Sequence, residues 1–400
     1  MPETIVRRRY LDKLMRFRDR PDLIKVITGI RRCGKSTLLK QFEEHLLDAG
    51  IPKERIVYIN FESSLGEPYV SRGALISHLK DRCRNGRTYI LLDGIQRVDG
   101  LEAVLDALHT DADADIYLTG SNPYFPSARP AGRYVEIRML PLSFEEFMDI
   151  NGRTDVNDCL RRYLNRGGMP IIHDGMDHAD AQDILNNINY AILLNDVIAR
   201  NGVRDAAGLL STVGYIYTEI GNVISPSSVA EQLKISDKTA GNYLRMLEDS
   251  HLIMGVDRYD IAGKKTLSSG RKYYCTDLGM RNAHLRARIM DIGKMMENAV
   301  FLELKRRGYR VSVGKYGGSE IDFVADRDGT TEYYQISQTA SEDRTGEREL
   351  APLLRIGDNY PKTVITLNRT SRNQVKGIKY TGLADFLLAN DGGMSADIIH

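Results

Sequence analysis

The sequence predicts an α/β protein that begins with a parallel sheet and continues with helical and mixed segments. Short apolar runs alternate with helical stretches from Leu23 onward, and each run is apolar at nearly every position. Such runs are typical of strands buried on both faces, and parallel strands need helical crossovers. The predicted strands are LIKVITGI, RIVYINF, TYILLDGI, DIYLTGS and YVEIRML, with helices predicted over 35–49, 70–84 and 101–109. We expect a sheet covered on both faces, with the first three or four strands parallel.

Composition excludes several classes of protein. The 400 residues include 55 Lys+Arg and 54 Asp+Glu, for a net charge of +1, and 42% are hydrophobic. These values exclude a disordered, collagen-like or disulfide-stapled chain. The 4 cysteines show neither a CxxC pair nor a zinc spacing, and no apolar run approaches 20 residues. With no signal-like amino terminus either, the sequence favours a reduced, cytoplasmic location.

The order of patterns along the chain predicts four domains. Residues 1–141 hold the predicted sheet, preceded by a basic amphipathic helix that we expect to be solvated on its outer face. Residues 142–210 are helical in pattern and interrupted by GGMP, and residues 211–276 predict a helix-turn-helix followed by a β-hairpin. Residues 277–400 predict a helix and then the strands RVSVGK, EIDFVAD, TEYYQISQ and KTVITL. This last part is therefore a second mixed α/β segment.

A glycine-rich phosphate-binding loop (P-loop) connects the first predicted strand to the first predicted helix. It satisfies GxxxxGK[ST]. Glycines let backbone N–H groups curve around a phosphate, and the helix amino terminus favours negative charge. The lysine reaches the β- and γ-phosphates, and the serine hydroxyl suits Mg²⁺. The sequence therefore predicts an ATP and Mg²⁺ site, whose nucleotide-binding residues are Gly29, Ile30, Arg31, Arg32, Cys33, Gly34, Lys35, Ser36 and Thr37.

A carboxylate ends the apolar strand YILLD. Asp93 is expected beside the P-loop, where it can hold Mg²⁺ together with Ser36 and act with Lys35 in catalysis. Most P-loop hydrolases of this type place Glu next, whereas this chain has Gly94. Either hydrolysis is slow, or another carboxylate substitutes, or the position was altered so that nucleotide is trapped. Glu62 is the candidate substitute, because its strand RIVYINF is expected to neighbour the one that ends at Asp93.

Two further catalytic candidates follow the strand DIYLTGS. Asn122 is favoured over Ser121 as the polar side chain that orients water or the γ-phosphate. Arg129 and Arg133 lie on the loop before the last predicted strand. Arg133 is favoured, against a plain surface role, as a finger that reaches the nucleotide of a neighbouring subunit and stabilises the charge of the transition state.

The helix-turn-helix and hairpin carry the candidates for DNA contact. Ser236 suits the N-cap of the second helix, which would enter the major groove while the hairpin contacts phosphates. The predicted contacts are Lys238, Asn242, Arg245, Lys264, Lys265, Arg271 and Lys272. Acidic residues dilute this charge and such modules also dock proteins, so a protein partner is the alternative.

Several strings together resemble prokaryotic AAA+ family ATPases that carry a C-terminal domain of unknown function. They are TGIRRCGKST, YINFE, LLDGIQ, LTGSN, GRYVEIRMLPLSFEEF, GGMP and ILLNDVIAR, with GKMMENAVFLELKRRGY, EIDFVAD, YYQISQ and DNYPKTVITL later in the chain. The resemblance implies a P-loop AAA+ domain, a helical lid, a winged helix-turn-helix and a C-terminal α/β nuclease-like domain. It covers nearly the whole chain, although the family's usual D-E-I-Q is D-G-I-Q here.

The C-terminal segment departs from an active nuclease of the PD-(D/E)XK type. Asp322 fits the pattern, but Gln335 and Ser337 stand where the second acid and the lysine are expected. One carboxylate with the distant Glu297 of the preceding helix is a poor site for a hard cation. Carboxylates hold Mg²⁺ and the lysine activates water in such sites. We therefore expect a nuclease fold that has lost cleavage.

The function that the sequence favours is an Mg-ATP-dependent ATPase that acts on DNA as a homo-oligomer, with a hexamer among the allowed assemblies. Translocation, remodelling and branch migration are all compatible with it. The alternative is a nucleotide-gated switch that hydrolyses weakly and docks a protein or DNA partner.

Overall fold

The computed structural model describes residues 5–120, 133–152, 155–286, 291–338, 344–369 and 374–389. The chain divides into two compact units. Unit 1 contains Met1–Pro141 and Asp249–His251, and unit 2 contains Leu142–Glu248 and Leu252–His400. Each unit has its own sheet.

Unit 1 is built on a parallel sheet. Its strands are β1 Ile24–Thr28, β2 Ile56–Asn60, β3 Thr88–Asp93, β4 Ala114–Thr119 and β5 Tyr134–Arg138. Its helices are α1 Arg8–Arg16, α2 Lys35–Asp48, α3 Arg72–Arg82 and α4 Leu101–Asp111. Among the described residues the strand order is β2-β3-β4-β1-β5, and every adjacent pair is parallel. The predicted parallel strands are confirmed, and the parallel pairing extends to β5.

Helices cover both faces of this sheet, as the apolar runs predicted. Ile90 and Ile116 lie in one core cluster with side chains of α3 and α4, including Leu75 and Leu105. On the opposite face of the sheet, Tyr117 packs against α2, and its ring centroid lies 4.4 Å from that of Phe42 in this helix. Successive strand residues point to opposite faces, so a strand with apolar residues throughout can bury both.

A buried ion pair lies within this sheet. Lys25 of β1 and Asp115 of β4 contact each other, and both side chains are 0% exposed. Tyr117 OH donates to Asp115 Oδ2 at 2.9 Å, and Asp19 N donates to the same oxygen at 2.9 Å. Burial lowers the pKa of Lys25, while the charge of Asp115 acts in the opposite direction. The pair is thus satisfied by hydrogen bonds, as a buried charge requires.

Unit 2 begins with a helical stretch. Its helices are α5 Phe144–Ile150, α6 Val156–Arg166, α7 His178–Ile192, α8 Ala206–Thr218, α9 Pro226–Leu233, α10 Asp237–Asp249, α11 Leu278–Leu285, α12 Ile292–Arg306, α13 Arg344–Arg355 and α14 Leu383–Leu388. Helix α7 continues as a π-helix over Leu193–Ala199. Ser143 and Glu146 form a capping box at the start of α5. In the parts of the chain that are described, no helix is both long and apolar enough to cross a membrane.

The sheet of unit 2 joins the predicted hairpin to the C-terminal strands. Its strands are β6 Val223–Ile224, β7 Ile253–Asp260, β8 Lys265–Cys275, β9 Arg310–Tyr316, β10 Ser319–Arg327, β11 Thr330–Ser337, β12 Lys362–Thr366, β13 Gln374–Val375 and β14 Ile378–Gly382. Strands β7 and β8 pair in antiparallel fashion, which confirms the hairpin. Strand β7 also pairs in parallel with β9, with Arg258 opposite Val313. The hairpin is therefore part of a larger sheet, and both of its strands have neighbours on both sides, because β8 also pairs with β6.

Candidate active site

The P-loop keeps its shape through backbone conformations that glycine allows. Gly29 has a φ of +143°, and a Cβ there would lie 2.1 Å from Met139 O. Any other residue at position 29 would collide with this carbonyl. Gly34 has a φ of +105° and is the N-cap of α2. Because the first N–H groups of a helix have no intrahelical acceptor, the amino end of α2 supplies donors to the loop.

Lys35 lies on the inner side of the loop. Its Nζ donates to Gly29 O at 2.8 Å and to Ile30 O at 2.9 Å, and the residue is 9% exposed. A cavity of about 370 Å³ opens beside it, lined by Arg31, Arg32, Gly34, Lys35, Ser36, Thr37, Glu62, Asp93, Gly94, Gln96, Thr119 and Gly120. This volume falls in the range of small-molecule sites, about 300–1,000 Å³. Six of the nine predicted nucleotide-binding residues and both candidate carboxylates therefore line one cavity, whereas Gly29, Ile30 and Cys33 do not line it.

Three hydroxyl groups converge on Asp93. Ser36 Oγ donates to Asp93 Oδ1 at 2.9 Å, Tyr58 OH donates to Oδ2 at 2.9 Å, and Thr119 Oγ1 also donates to Oδ1. Burial, followed by the charge of Asp93, raises the pKa of Tyr58, so the phenol stays a donor. A hydroxyl and a carboxylate are oxygen ligands of the kind that Mg²⁺ prefers. Ser36 and Asp93 thus fit the predicted cation, while Tyr58 and Thr119 are partners of Asp93 that sequence reasoning missed.

Glu62 lies beside Gly94, as the predicted strand order implied. Strands β2 and β3 are adjacent, with Asn60 opposite Asp93. Gly94 has a φ of +81°, and a Cβ built on it would lie 3.1 Å from Glu62 Cγ. A side chain at position 94 would therefore be strained and would press against Glu62. The geometry brings a carboxylate from β2 to the place that the usual glutamate would approach from β3.

Two donors surround the Glu62 carboxylate. Gln96 Nε2 donates to Glu62 Oε1 at 2.9 Å, and Arg31 Nη2 lies 3.9 Å from the same oxygen. Sequence reasoning did not assign Gln96 a role, although it belongs to the string that carried the family resemblance.

The remaining catalytic candidates are placed differently. Asn122 lies outside the described residues. Arg133 is exposed and stands before β5, where its carbonyl accepts from Ile24 N at 2.8 Å. Since Ile24 starts β1 and the P-loop follows the other end of that strand, about 15 Å of strand separates Arg133 from its own P-loop. Arg133 is therefore not part of this cavity within one chain.

Two buried cationic or imidazole groups near the P-loop were also missed. Arg7 is 2% exposed, and its guanidinium donates to Cys33 O at 3.1 Å and to Leu140 O at 2.9 Å. The basic amino-terminal segment is thus not wholly solvated. His251 is buried in unit 1, with Nδ1 3.1 Å from Arg138 Nη2. Burial lowers the pKa of His251 well below 6.5, and the positive charges of Arg138 and Lys35 act in the same direction.

Five of the predicted DNA contacts lie on accessible parts of unit 2. Lys238 and Arg245 are exposed and Asn242 is half-buried, and their spacing places them on one face of α10. Lys264 and Lys265 are exposed at the turn between β7 and β8. The predicted N-cap of α10 is confirmed, because Ser236 Oγ accepts from Thr239 N at 3.1 Å. These five residues stay predicted contacts.

The other two predicted contacts form ion pairs inside unit 2, and for Lys272 this corrects the sequence prediction. Lys272 is 4% exposed, and its Nζ lies 3.0 Å from Glu297 Oε1 and 2.7 Å from Glu320 Oε1. Arg271 Nη1 lies 2.9 Å from Glu248 Oε2, and its Nε lies 2.8 Å from Asp257 Oδ1. Lys272 is therefore buried among carboxylates and not exposed on the hairpin as predicted, whereas the side chain of Arg271 is 37% exposed and stays a predicted contact.

Lys272 occupies the cluster of carboxylates that the nuclease comparison singled out. Tyr274 OH donates to Glu297 Oε1 at 2.6 Å, and Asp322 Oδ2 accepts from Ile336 N at 2.7 Å. Burial and then the charge of Glu297 raise the pKa of Asp322 to about 8, although Lys272 opposes this rise. Burial would lower the pKa of Lys272, but the surrounding carboxylates raise it overall. Within the described ranges, no group of three or more His, Cys, Asp or Glu is arranged to hold a metal ion.

Comparison with known proteins identifies related sequences for the whole chain. Residues 21–148 match the AAA domain family, and residues 157–290 match a domain of unknown function, DUF8612. An uncharacterized protein of Haemophilus influenzae is 35% identical over 399 residues, covering 96% of this chain and 98% of the relative. An uncharacterized protein of Methanocaldococcus jannaschii is 28% identical over 377 residues, covering 87% and 83%.

Solved structures are only distantly similar. The structure of AMPPCP-bound DnaA from Aquifex aeolicus has 13% sequence identity and a TM-score of 0.25, covering 56% of this chain and 81% of that chain. The structure of Caenorhabditis elegans PCH-2 has 13% identity and a TM-score of 0.26, covering 60% and 65%.

The AAA part of the sequence resemblance is confirmed. The matched domain of unknown function ends at residue 290, before the later strings of the resemblance, which begin with GKMMENAVFLELKRRGY, so the nuclease-like character of the C-terminal segment stays a prediction. The chain belongs to the family of the Haemophilus influenzae protein and carries an AAA domain over residues 21–148.

Proposed function

We propose that this protein is an Mg²⁺-dependent ATPase that acts on DNA as a homo-oligomeric motor. The main support is the arrangement of Lys35, Ser36, Asp93 and Glu62 around one cavity. A P-loop lysine, a hydroxyl–carboxylate pair and a second carboxylate are the groups that phosphoryl transfer to water requires.

The nucleotide phosphates would be bound by the backbone of residues 29–37. Lys35 would exchange its two loop carbonyl partners for β- and γ-phosphate oxygens, to which its charge is better matched. Ser36 and Asp93 would hold Mg²⁺, which would neutralise charge on the same phosphates. Tyr58 and Thr119 would keep the Asp93 carboxylate in place.

Glu62 is the proposed general base. It lines the cavity, it is 46% exposed at its side chain, and it lies where residue 94 leaves room for it. A carboxylate there could take the proton of an attacking water. Of the three explanations for Gly94, this placement favours substitution by another carboxylate.

Oligomerisation is part of the proposal because an arginine supplied by a neighbouring subunit would stabilise the charge of the transition state. Arg133 is exposed and remote from its own P-loop, as a finger directed at a neighbouring subunit would be. Asn122 keeps its proposed role toward water or the γ-phosphate. We propose assembly of identical subunits, with a hexamer among the candidates.

DNA would be bound by unit 2. The proposed winged helix-turn-helix over 211–276 would use the face of α10 with Lys238, Asn242 and Arg245, and the hairpin turn with Lys264 and Lys265. Residues 142–210 would act as a helical lid, and residues 277–400 would form a nuclease-like module that serves as a binding or assembly surface. The four buried thiols suit the reducing cytoplasm that we propose as its location.

The alternative function is a nucleotide-gated switch that docks a protein or DNA partner. The observation that favours it is Gly94 together with the exposure of Glu62, because a solvated carboxylate is a less restrained base than a buried one. In that case ATP would be bound and turned over slowly.

The test is ATP turnover with single-stranded, duplex and four-way-junction DNA, with Lys35→Ala as the control. We expect one DNA form to stimulate turnover in the wild type and none in the control. Tight ATP binding with no turnover under any condition would instead support the switch.

A further inference from the structure

The Glu62 carboxylate is held at one oxygen by a neutral donor. Gln96 Nε2 donates to Oε1 at 2.9 Å, whereas the described residues make no hydrogen bond to Oε2. The guanidinium of Arg31 is farther away, 3.9 Å from Oε1. An exposed glutamate otherwise samples several rotamers, so this single bond selects one orientation of the carboxylate. Oε1 thereby points toward the turn that carries Gln96, and Oε2 faces the cavity or solvent.

Gln96 lies on a turn that is tied to the metal-binding carboxylate. The turn spans Ile95–Arg97, and Ile95 is 9% exposed within the core of unit 1. Gly94, which directly precedes the turn, donates from N to Thr119 O at 3.2 Å and to Thr119 Oγ1 at 3.2 Å. Because the same hydroxyl donates to Asp93, the turn and the Asp93 carboxylate share an anchor. The backbone that carries Gln96 is therefore held in place beside Asp93.

A side chain at position 94 would crowd Glu62 beside this contact. A Cβ on Gly94 would lie 3.1 Å from Glu62 Cγ and 3.8 Å from Gln96 Nε2. The absence of a side chain at this position thus leaves space in which the two side chains meet.

We propose that Gln96 is a positioning residue that orients the Glu62 carboxylate toward the attacking water. The inference rests on the proposed role of Glu62 in hydrolysis. An amide donor fixes the carboxylate without adding the positive charge that would lower its basicity. Gln96 itself transfers no proton and contacts neither phosphate nor water in this role.

The test is a double-mutant cycle on the full chain with Glu62→Gln and Gln96→Met. Methionine keeps the length of the side chain but removes the donor. We expect Gln96→Met to lower kcat about 10-fold, part of the 10²–10⁴-fold that a positioned base supplies, while Kd for ATP changes less than about 2-fold. In the Glu62→Gln background the same substitution should change kcat by less than about 2-fold, because its effect passes through Glu62.

Arg97→Met is the matched control, since Arg97 is exposed on the same turn, and it should leave kcat and Kd unchanged. A kcat for Gln96→Met equal to that of the wild type, with Glu62→Gln inactive, would overturn the inference alone. An equal loss from Gln96→Met in both backgrounds would also overturn it. Full activity of Glu62→Gln would instead refute the proposed base, and ATP binding by each variant shows that unit 1 is folded.

Discussion

Replacing Lys272 by methionine distinguishes a buried structural lysine from a DNA contact. The side chain is 4% exposed and lies 3.0 Å from Glu297 Oε1 and 2.7 Å from Glu320 Oε1. Removing one partner of a buried ion pair costs about 3–5 kcal/mol, because the remaining charges stay poorly solvated. Glu320 is 41% exposed, so water solvates part of the charge that the substitution leaves unpaired. We therefore expect the free energy of unfolding to fall by about 3 kcal/mol.

The assay combines thermal unfolding of the full chain with the salt dependence of DNA binding. Lys272→Met should lower Tm and leave the slope of log Kd against log salt unchanged. Lys265→Met is the control, because Lys265 is exposed on the same strand; it should keep Tm and reduce the slope by about 1. An unchanged Tm together with a reduced slope for Lys272→Met would refute the buried role and restore the contact that the sequence predicted.

Three further substitutions test other parts of the account. Gly94→Glu places a side chain at a φ of +81° against Glu62. It should lower the free energy of unfolding by about 1–3 kcal/mol and should not raise kcat. A severalfold gain in steady-state turnover would show that the wild type lacks a base. Asp115→Asn removes the partner of Lys25, whose side chain is 0% exposed, and should destabilise unit 1 by about 3–5 kcal/mol in urea unfolding. A loss below about 1 kcal/mol would mean that the pair is easily replaced. The pKa of Asp322 is raised to about 8 in the folded protein, so its contribution to stability is complete below its unfolded pKa of about 3.9 and is lost as the pH rises through about 8. Tm should therefore fall between pH 5 and pH 9, and Asp322→Asn should flatten that dependence; an identical slope in the variant would assign it to other groups.

Local sequence patterns predicted most of unit 1. Continuous apolar runs identified strands buried on both faces, and the glycine spacing identified the P-loop between β1 and α2. The adjacency of β2 and β3 also followed, and it brought Glu62 to the side of Asp93. These features depend on residues near in sequence or on the general behaviour of parallel sheets, so a single sequence carries them.

Features set by distant pairing could not be predicted. Lys272 has the pattern of an exposed hairpin cation, but Glu297 and Glu320 come from elements far along the chain. Arg7 likewise resembles its exposed neighbours, and only the fold brings the carbonyls of Cys33 and Leu140 to it. The charge and periodicity of a sequence do not indicate which basic side chain will donate to a buried acceptor. A single sequence therefore did not reveal that Arg7 and Lys272 are buried.

The most direct test of the account is steady-state Mg-ATP turnover of the wild type against Glu62→Gln, with ATP affinity measured on both proteins. The account predicts measurable turnover in the wild type, a loss of about 10²-fold or more in the variant, and equal affinities. Equal turnover in the two proteins would contradict the assignment of Glu62 as the base that replaces the glutamate absent at position 94.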